Sequence, residues 1–164
     1  MARILITSGP TRQFLDPVRY LTNGSSGRMG RALAEAALET GHEVIVVTGP
    51  VAVTYPAGAE VRQIVSTEEL LAACEELFPV CDGVIGAAAP CDYRPVRVEE
   101  HKITKTGQPL VLSLIETPDV MATLGAAKRP GQWLVGFALE TDDQRFRALT
   151  KLERKSCDLI VLNG

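Results

Sequence analysis

Short, β-branched apolar runs recur along this chain with helical stretches between them, and no other feature of the sequence restricts its fold as much. The runs cover residues 3–7 (RILIT), 43–48 (EVIVVT), 60–65 (EVRQIV), 83–88 (GVIGAA), 110–115 (LVLSLI), 133–138 (WLVGFA) and 158–162 (DLIVL). Most are continuous rather than alternating, the pattern of strands covered on both faces in a parallel sheet. The stretches between them carry helix signals. Residues 28–39 place Met29, Leu33, Ala36 and Ala37 on one face. Residues 67–77 follow Ser66, with Glu69 three positions later as a capping box. Residues 119–126 are entered through Thr117-Pro118, with proline at the first helical position, and residues 143–156 follow a Thr141-Asp142 cap. Strand and helix in alternation predict an α/β fold: a Rossmann-like, doubly wound, mostly parallel sheet in a three-layer α/β/α arrangement. The long irregular stretch at 89–108 has the length of a lid, a binding loop or a disordered segment.

The 164 residues are 46% hydrophobic and 23% charged, enough for one domain with an ample core. A net charge of −3 with no block of Lys or Arg argues against nucleic acid as a partner, since neutralising phosphates needs clustered basic charge. No stretch approaches the ~18–20 apolar residues of a bilayer span, and the N-terminus has no signal-peptide core, so the expectation is no membrane partner and a cytoplasmic location. Cys74, Cys81, Cys91 and Cys157 lack C-x-x-C spacing and read as reduced thiols. His42 and His101 have no ligand-spaced partners, so no protein-held metal site is expected.

A nicotinamide-binding Rossmann fold turns from its first strand directly into G-x-G-x-x-G, and an acidic residue closing the second strand holds the ribose. This chain does neither. Ser8-Gly9-Pro10-Thr11-Arg12 is followed by a detour through Asp16-Pro17-Val18-Arg19, and only then does Thr22-Asn23-Gly24-Ser25-Ser26-Gly27-Arg28-Met29-Gly30 open the helix. The second strand ends in Thr48-Gly49-Pro50 without a carboxylate. Two readings of the glycines stay open: phosphate binding at a helix N-terminus, with Ser25, Ser26, Gly27 and Arg28 as contacts, or a tight turn with close helix–sheet packing.

Gly86-Ala87-Ala88-Ala89-Pro90-Cys91-Asp92 sits where open α/β sheets place their ligands, at the carboxyl end of a central strand. Asp92 is suited to ribose hydroxyls or to Mg²⁺ through water, and equally to an Asx-turn. Lys102 and Lys105 in the long loop read as solvated, and Lys151 and Lys155, one turn apart on the last helix, as partners of the helix dipole. Cys91 beside Asp92 reads as structural, because the carboxylate disfavours a thiolate.

Taken together, Gly9-Pro10-Thr11-Arg12, Asp16-Pro17-Val18-Arg19, Thr22-Asn23, Ser25-Ser26-Gly27-Arg28-Met29-Gly30, Ala88-Ala89, Asp92-Tyr93-Arg94-Pro95, Lys102-Ile103, Pro118-Asp119, Val135-Gly136-Phe137-Ala138 and Asp158-Leu159-Ile160-Val161 resemble phosphopantothenoylcysteine synthetase. In bacteria this is usually the C-terminal half of a bifunctional coenzyme A biosynthesis flavoprotein. The resemblance implies a ligase that joins 4′-phosphopantothenate to L-cysteine. CTP, with ATP as the alternative and Mg²⁺ carried on the triphosphate, activates the carboxylate as an acyl-nucleotide, and the cysteine amine then displaces CMP. Carried over, Asn23 handles the acyl-nucleotide and Lys102 serves its formation. Gly86, Ala87, Ala88, Asp92, Thr117, Pro118, Asp119, Val120, Phe137, Lys151 and Lys155 fall where the family contacts the nucleotide. The resemblance also implies a homodimer, a longer C-terminal part beyond Asn163-Gly164, and an FMN-dependent decarboxylase as adjoining domain or partner.

Thr117 stands where the family usually has Asn, Thr104 interrupts a run usually richer in lysine, and Arg28 replaces a usual Lys. Two other functions compete: an NAD(P)-binding oxidoreductase, and a truncated nucleotide-binding module without catalysis.

Overall fold

The computed structural model describes residues 1–139 and 144–163. β1 (Arg3–Ser8) runs into an antiparallel hairpin of β2 (Arg12–Phe14) and β3 (Tyr20–Thr22), after which α1 (Arg28–Glu39) leads to β4 (Glu43–Thr48) and β5 (Glu60–Gln63). α2 (Thr67–Leu77) and a 3₁₀ turn at Phe78–Val80 precede β6 (Gly83–Gly86). β7 (Tyr93–Pro95) and β8 (Leu114–Glu116) pair as a second antiparallel ribbon. α3 (Val120–Ala127), β9 (Trp133–Leu139), α4 (Gln144–Arg154) and β10 (Leu159–Asn163) follow.

Six strands form one parallel sheet in the order β10-β9-β6-β1-β4-β5. The chain therefore builds outward from β1 to one edge, returns, and builds to the other, with the reversal between β1 and β6. This is the doubly wound order the strand–helix alternation predicts. Alternate residues feed two cores. Ile4, Ile6, Val44 and Val46 pack against Ala34 and Ala37 of α1. Leu5, Ile45, Val47, Val84 and Leu134 pack on the other face against Leu70, Ala73 and Leu77 of α2 and Val120 and Leu124 of α3, with Leu152 of α4 alongside. Each fully buried Leu or Ile contributes about 1.5–3 kcal/mol. All four cysteines are buried free thiols, and burial pushes Cys74 up to about 12 and Cys81 up to about 11.

Helix bounds 28–39 and 67–77 match the sequence reading, and Ser66 Oγ accepts from Glu69 N–H at 3.1 Å. Three expectations need correction. The inward face of α1 is Gly30, Ala34 and Ala37, while Met29 and Ala36 are exposed, because the helix lies so close to β1 that only the smallest residues fit between them. The run 110–115 does not join the sheet. Leu114–Glu116 pairs outside it with Tyr93–Pro95, and Val111 is 86% exposed. Finally, the third helix starts at Val120 and not at Pro118, and Asp119 caps it, its carboxylate accepting from Ala122 N–H at 3.0 Å. Asp143 and the Thr141-Asp142 cap lie outside the described residues.

A Cβ on Gly30 would lie 2.1 Å from Ser8 Oγ and 2.4 Å from Ser8 Cβ, so the helix must move for any side chain. Gly30→Ala is expected to destabilise the fold by about 1–3 kcal/mol in urea denaturation, although Ala is the better helix former.

Candidate functional site

The β1–β6 switch point is where this topology normally opens its ligand crevice. Here backbone pairing continues past the strand ends. Ala87 N–H donates to Thr7 O at 3.1 Å, Ala89 N–H to Gly9 O at 2.9 Å, and Pro10 and Ala89 form a parallel bridge. The zipper carries the chain over the crevice, and the open space lies one strand along, above β6 and β9. It is a cavity of about 470 Å³, within the ~300–1,000 Å³ range of small-molecule sites.

Thr7, Gly86, Ala88, Gly136 and Phe137 form its floor, and Asp92, Tyr93 and Thr117 to Met121 one wall; Lys151 and Arg154 of α4, and Lys155 just after it, reach in. All the nucleotide positions carried over by resemblance therefore line one cavity, except Ala87. Glu116 and Arg154 line it too and were not singled out in the sequence. Arg154 was legible as the basic residue beside Lys155 in the last turn of a helix.

Polar bonds hold this wall. Cys91 N–H donates to Thr11 Oγ1 at 2.8 Å, and Cys91 O accepts from Thr67 Oγ1 at 3.1 Å and Thr117 Oγ1 at 2.6 Å. Thr117 thus takes a backbone-anchoring role beside Asp92, whose carbonyl accepts from Thr117 N–H at 2.9 Å. Burial, the largest influence, raises the Cys91 thiol, so it remains a protonated packing group. On the same wall Asp119 does three things: it caps α3, and its oxygens lie 3.4 Å from Lys155 Nζ and 3.2 Å from Arg154 Nη2. Arg154 and Lys155 are thereby tied to the helix that forms the wall. Among the described residues no group of three His, Cys, Asp or Glu side chains could hold a metal ion.

Asn23, Lys102 and the glycine-rich loop lie outside the cavity lining. Asn23 follows β3 directly and donates through Nδ2 to Ala89 O at 3.2 Å and Pro90 O at 2.9 Å, which puts it at the mouth. Lys102 is exposed and lines a neighbouring groove with Leu15, Val98 and Ile103. The structure does not bring Ser25, Ser26, Gly27 or Arg28 to the cavity. Gly27 has φ +77°, and a Cβ there would meet Val51 Cγ1 at 2.9 Å and Tyr55 Oη at 3.2 Å. A turn and close packing account for it.

Asp16 is the residue whose importance is least visible in the sequence. Its side chain is fully buried and accepts at Oδ1 from Val18 N–H (2.9 Å) and Arg19 N–H (2.8 Å), and at Oδ2 from Arg19 Nη1 (2.6 Å) and Ile103 N–H (3.0 Å). Burial alone would raise its carboxyl, but the bonds from Ile103, Val18 and Arg19 together hold it well below the usual carboxylate range.

The whole chain, residues 1–164, matches the family model described as the DNA/pantothenate metabolism flavoprotein C-terminal domain. The chain belongs to this family. It is 44% identical over 161 residues to the coenzyme A biosynthesis bifunctional protein CoaBC of Bacillus subtilis (strain 168), covering 98% of this chain and 39% of that protein. It is 45% identical over 164 residues to a cysteine/cysteine sulfinic acid decarboxylase of an unknown prokaryotic organism, covering 99% of this chain and 45% of that protein. Among solved structures, the C-terminal domain of a coenzyme A biosynthesis bifunctional protein CoaBC superposes with a TM-score of 0.87 at 43% identity, covering 98% of this chain and 76% of that one. The chain thus spans less than half the length of these two curated relatives.

Thr117→Val removes the hydroxyl that holds Cys91 O. Loss of about 0.5–1.5 kcal/mol in urea denaturation is expected. Asp16, with its pKa depressed on folding, contributes stability that is complete above the unfolded value and lost only as pH falls through the lower folded one. A carbon-13 titration should therefore find its carboxylate ionised at about pH 4, where an ordinary aspartate is about half protonated.

Proposed function

We propose that this chain is the ligase domain of coenzyme A biosynthesis, joining 4′-phosphopantothenate to L-cysteine through an acyl-cytidylate. The observation that carries this reading is the convergence of Gly86, Asp92, Asp119, Phe137, Lys151 and Lys155 on one cavity at the carboxyl ends of β6 and β9. Family membership and the likeness to the CoaBC C-terminal domain support it.

In the first step the pantothenate carboxylate attacks the α-phosphorus of CTP and pyrophosphate leaves. Lys151 and Lys155 in the cavity, and Lys102 beyond its mouth, supply positive charge for the phosphoryl oxygens. In the second, the cysteine amine attacks the acyl carbon, CMP leaves and the amine loses a proton. Asn23 at the mouth orients the acyl-nucleotide, and this step depends on position more than on acid–base power. Asp92 is an exposed carboxylate in the cavity lining, suited to hold Mg²⁺ that would keep most of its water and, carried on the triphosphate, would neutralise phosphate charge. ATP is the alternative nucleotide.

A homodimer, an FMN-dependent decarboxylase as adjoining domain or partner, and a cytoplasmic location belong to the same reading. No helix among the described residues is long and apolar enough to cross a membrane. The decarboxylase named among the relatives is more than twice the length of this chain, and in this reading its decarboxylation belongs to the part this chain does not span. An NAD(P) oxidoreductase is disfavoured, because the second sheet strand has no terminal carboxylate and Val51 and Tyr55 pack against the glycine turn before α1.

With CTP, Mg²⁺, 4′-phosphopantothenate and cysteine, release of CMP and pyrophosphate is expected, and Lys102→Gln should slow pyrophosphate release about 100-fold or more. Absence of turnover with both CTP and ATP overturns the reading, whereas CTP binding without turnover identifies a binding module.

A further inference from the structure

An Asx-turn needs only one carboxylate oxygen. In Asp16 that is Oδ1, which accepts from Val18 and Arg19 N–H and closes the turn between β2 and β3. Oδ2 does something else. It accepts from Ile103 N–H, 87 residues away in sequence, and from Arg19 Nη1, and the same Arg19 nitrogen donates to Ile103 O at 3.2 Å. Aspartate and arginine together grip both the N–H and the C=O of one residue, which restrains its orientation as well as its place. A second tie, Glu99 N–H to Leu15 O at 2.9 Å, anchors the loop four residues earlier on the same turn.

Burying a carboxylate is costly unless its oxygens are fully bonded. The turn alone does not require that cost, since a neutral asparagine closes an Asx-turn as well. An asparagine could not hold the loop, because its amide nitrogen would face two donors, Ile103 N–H and Arg19 Nη1. The charge is needed only for the grip on Ile103, and the residue before Ile103 is Lys102.

The hairpin has a second attachment at its other end. β3 passes directly into Asn23, which bonds to Ala89 O and Pro90 O beside the cavity. One small hairpin therefore carries Asn23 at its exit and the anchor of the Lys102 loop at its turn, and sets the two relative to each other.

We propose that Asp16 is a positioning residue, whose buried carboxylate holds the Lys102–Ile103 peptide on the β2–β3 turn and so sets where the Lys102 ammonium can reach. Its effect on the reaction rests on the ligase function proposed above; the grip on the loop does not.

Trypsin cleaves after lysine, and the Lys102–Ile103 bond is the one whose N–H Asp16 accepts. In Asp16→Asn the turn is retained and the grip is lost, so cleavage at this bond should accelerate about 10-fold or more at unchanged circular dichroism. Pyrophosphate release should fall about 10- to 100-fold in kcat, with KM for CTP within about twofold. Adding Asp16→Asn to Lys102→Gln should slow the reaction no further, since both act through one ammonium. Equal cleavage rates, an unchanged kcat, or additive losses in the double variant each overturn the proposal. If wild-type protein releases no pyrophosphate with either nucleotide, the ligase reading and the positioning role fail together, and the cleavage rates still decide the grip. Amide exchange in the unaltered protein needs no variant: Ile103 N–H should exchange about 10-fold or more slower than Thr104 N–H, and equal rates overturn the grip even if Asp16→Asn does not fold.

Discussion

The functional end of this molecule depends on backbone pairing that continues beyond the sheet between the segments after β1 and β6. Parallel strands pair through regularly spaced bonds, and nothing stops that pairing at a strand end if the following residues are small enough to run side by side. Here Gly9, Pro10, Ala87, Ala88 and Ala89 are. Their pairing covers the usual switch-point crevice and leaves the open volume above β6 and β9, where Gly86 and Gly136 leave the floor free of bulky side chains.

Such a zipper leaves the chain beyond it with backbone groups that the sheet no longer satisfies, and buried groups of that kind must find partners. Threonine hydroxyls meet the need at Cys91, from three separate elements of the chain: Thr11 before β2, Thr67 at the start of α2 and Thr117 before α3. Asp16 meets it at Ile103 and Asp119 at the N-terminus of α3. The two aspartates also do local work, Asp16 closing a turn and Asp119 capping a helix, and each uses its remaining bonding capacity on a distant segment. The cavity wall is held by these long-range bonds.

Elements set by neighbouring residues were legible. Ser66 and Glu69 announce α2, and the small residues of 28–39 announce α1. The face that α1 buries was not, since Met29 is the better hydrophobe but β1 tolerates only a glycine at position 30, where any Cβ would fall 2.1 Å from Ser8 Oγ. The run 110–115 has strand composition yet lies off the sheet, because the long connection after β6 pairs with itself before the chain returns. Among site residues, Asp92, Asp119, Lys151 and Lys155 were named from resemblance and meet in one cavity. Asn23 and Lys102 were named the same way and sit at its mouth and in an adjoining groove.

The sequence by itself determined that β-branched runs and amphipathic helices alternate and that the sheet is parallel. These are properties of composition and short-range order, carried by near neighbours. Only the tertiary structure decided which loops pair past the strand ends, where the cavity opens, and that a buried aspartate in one turn holds a peptide 87 residues away. Those outcomes depend on contacts between segments whose separation along the chain carries no local signal, so they exist only once the sheet has brought the segments together.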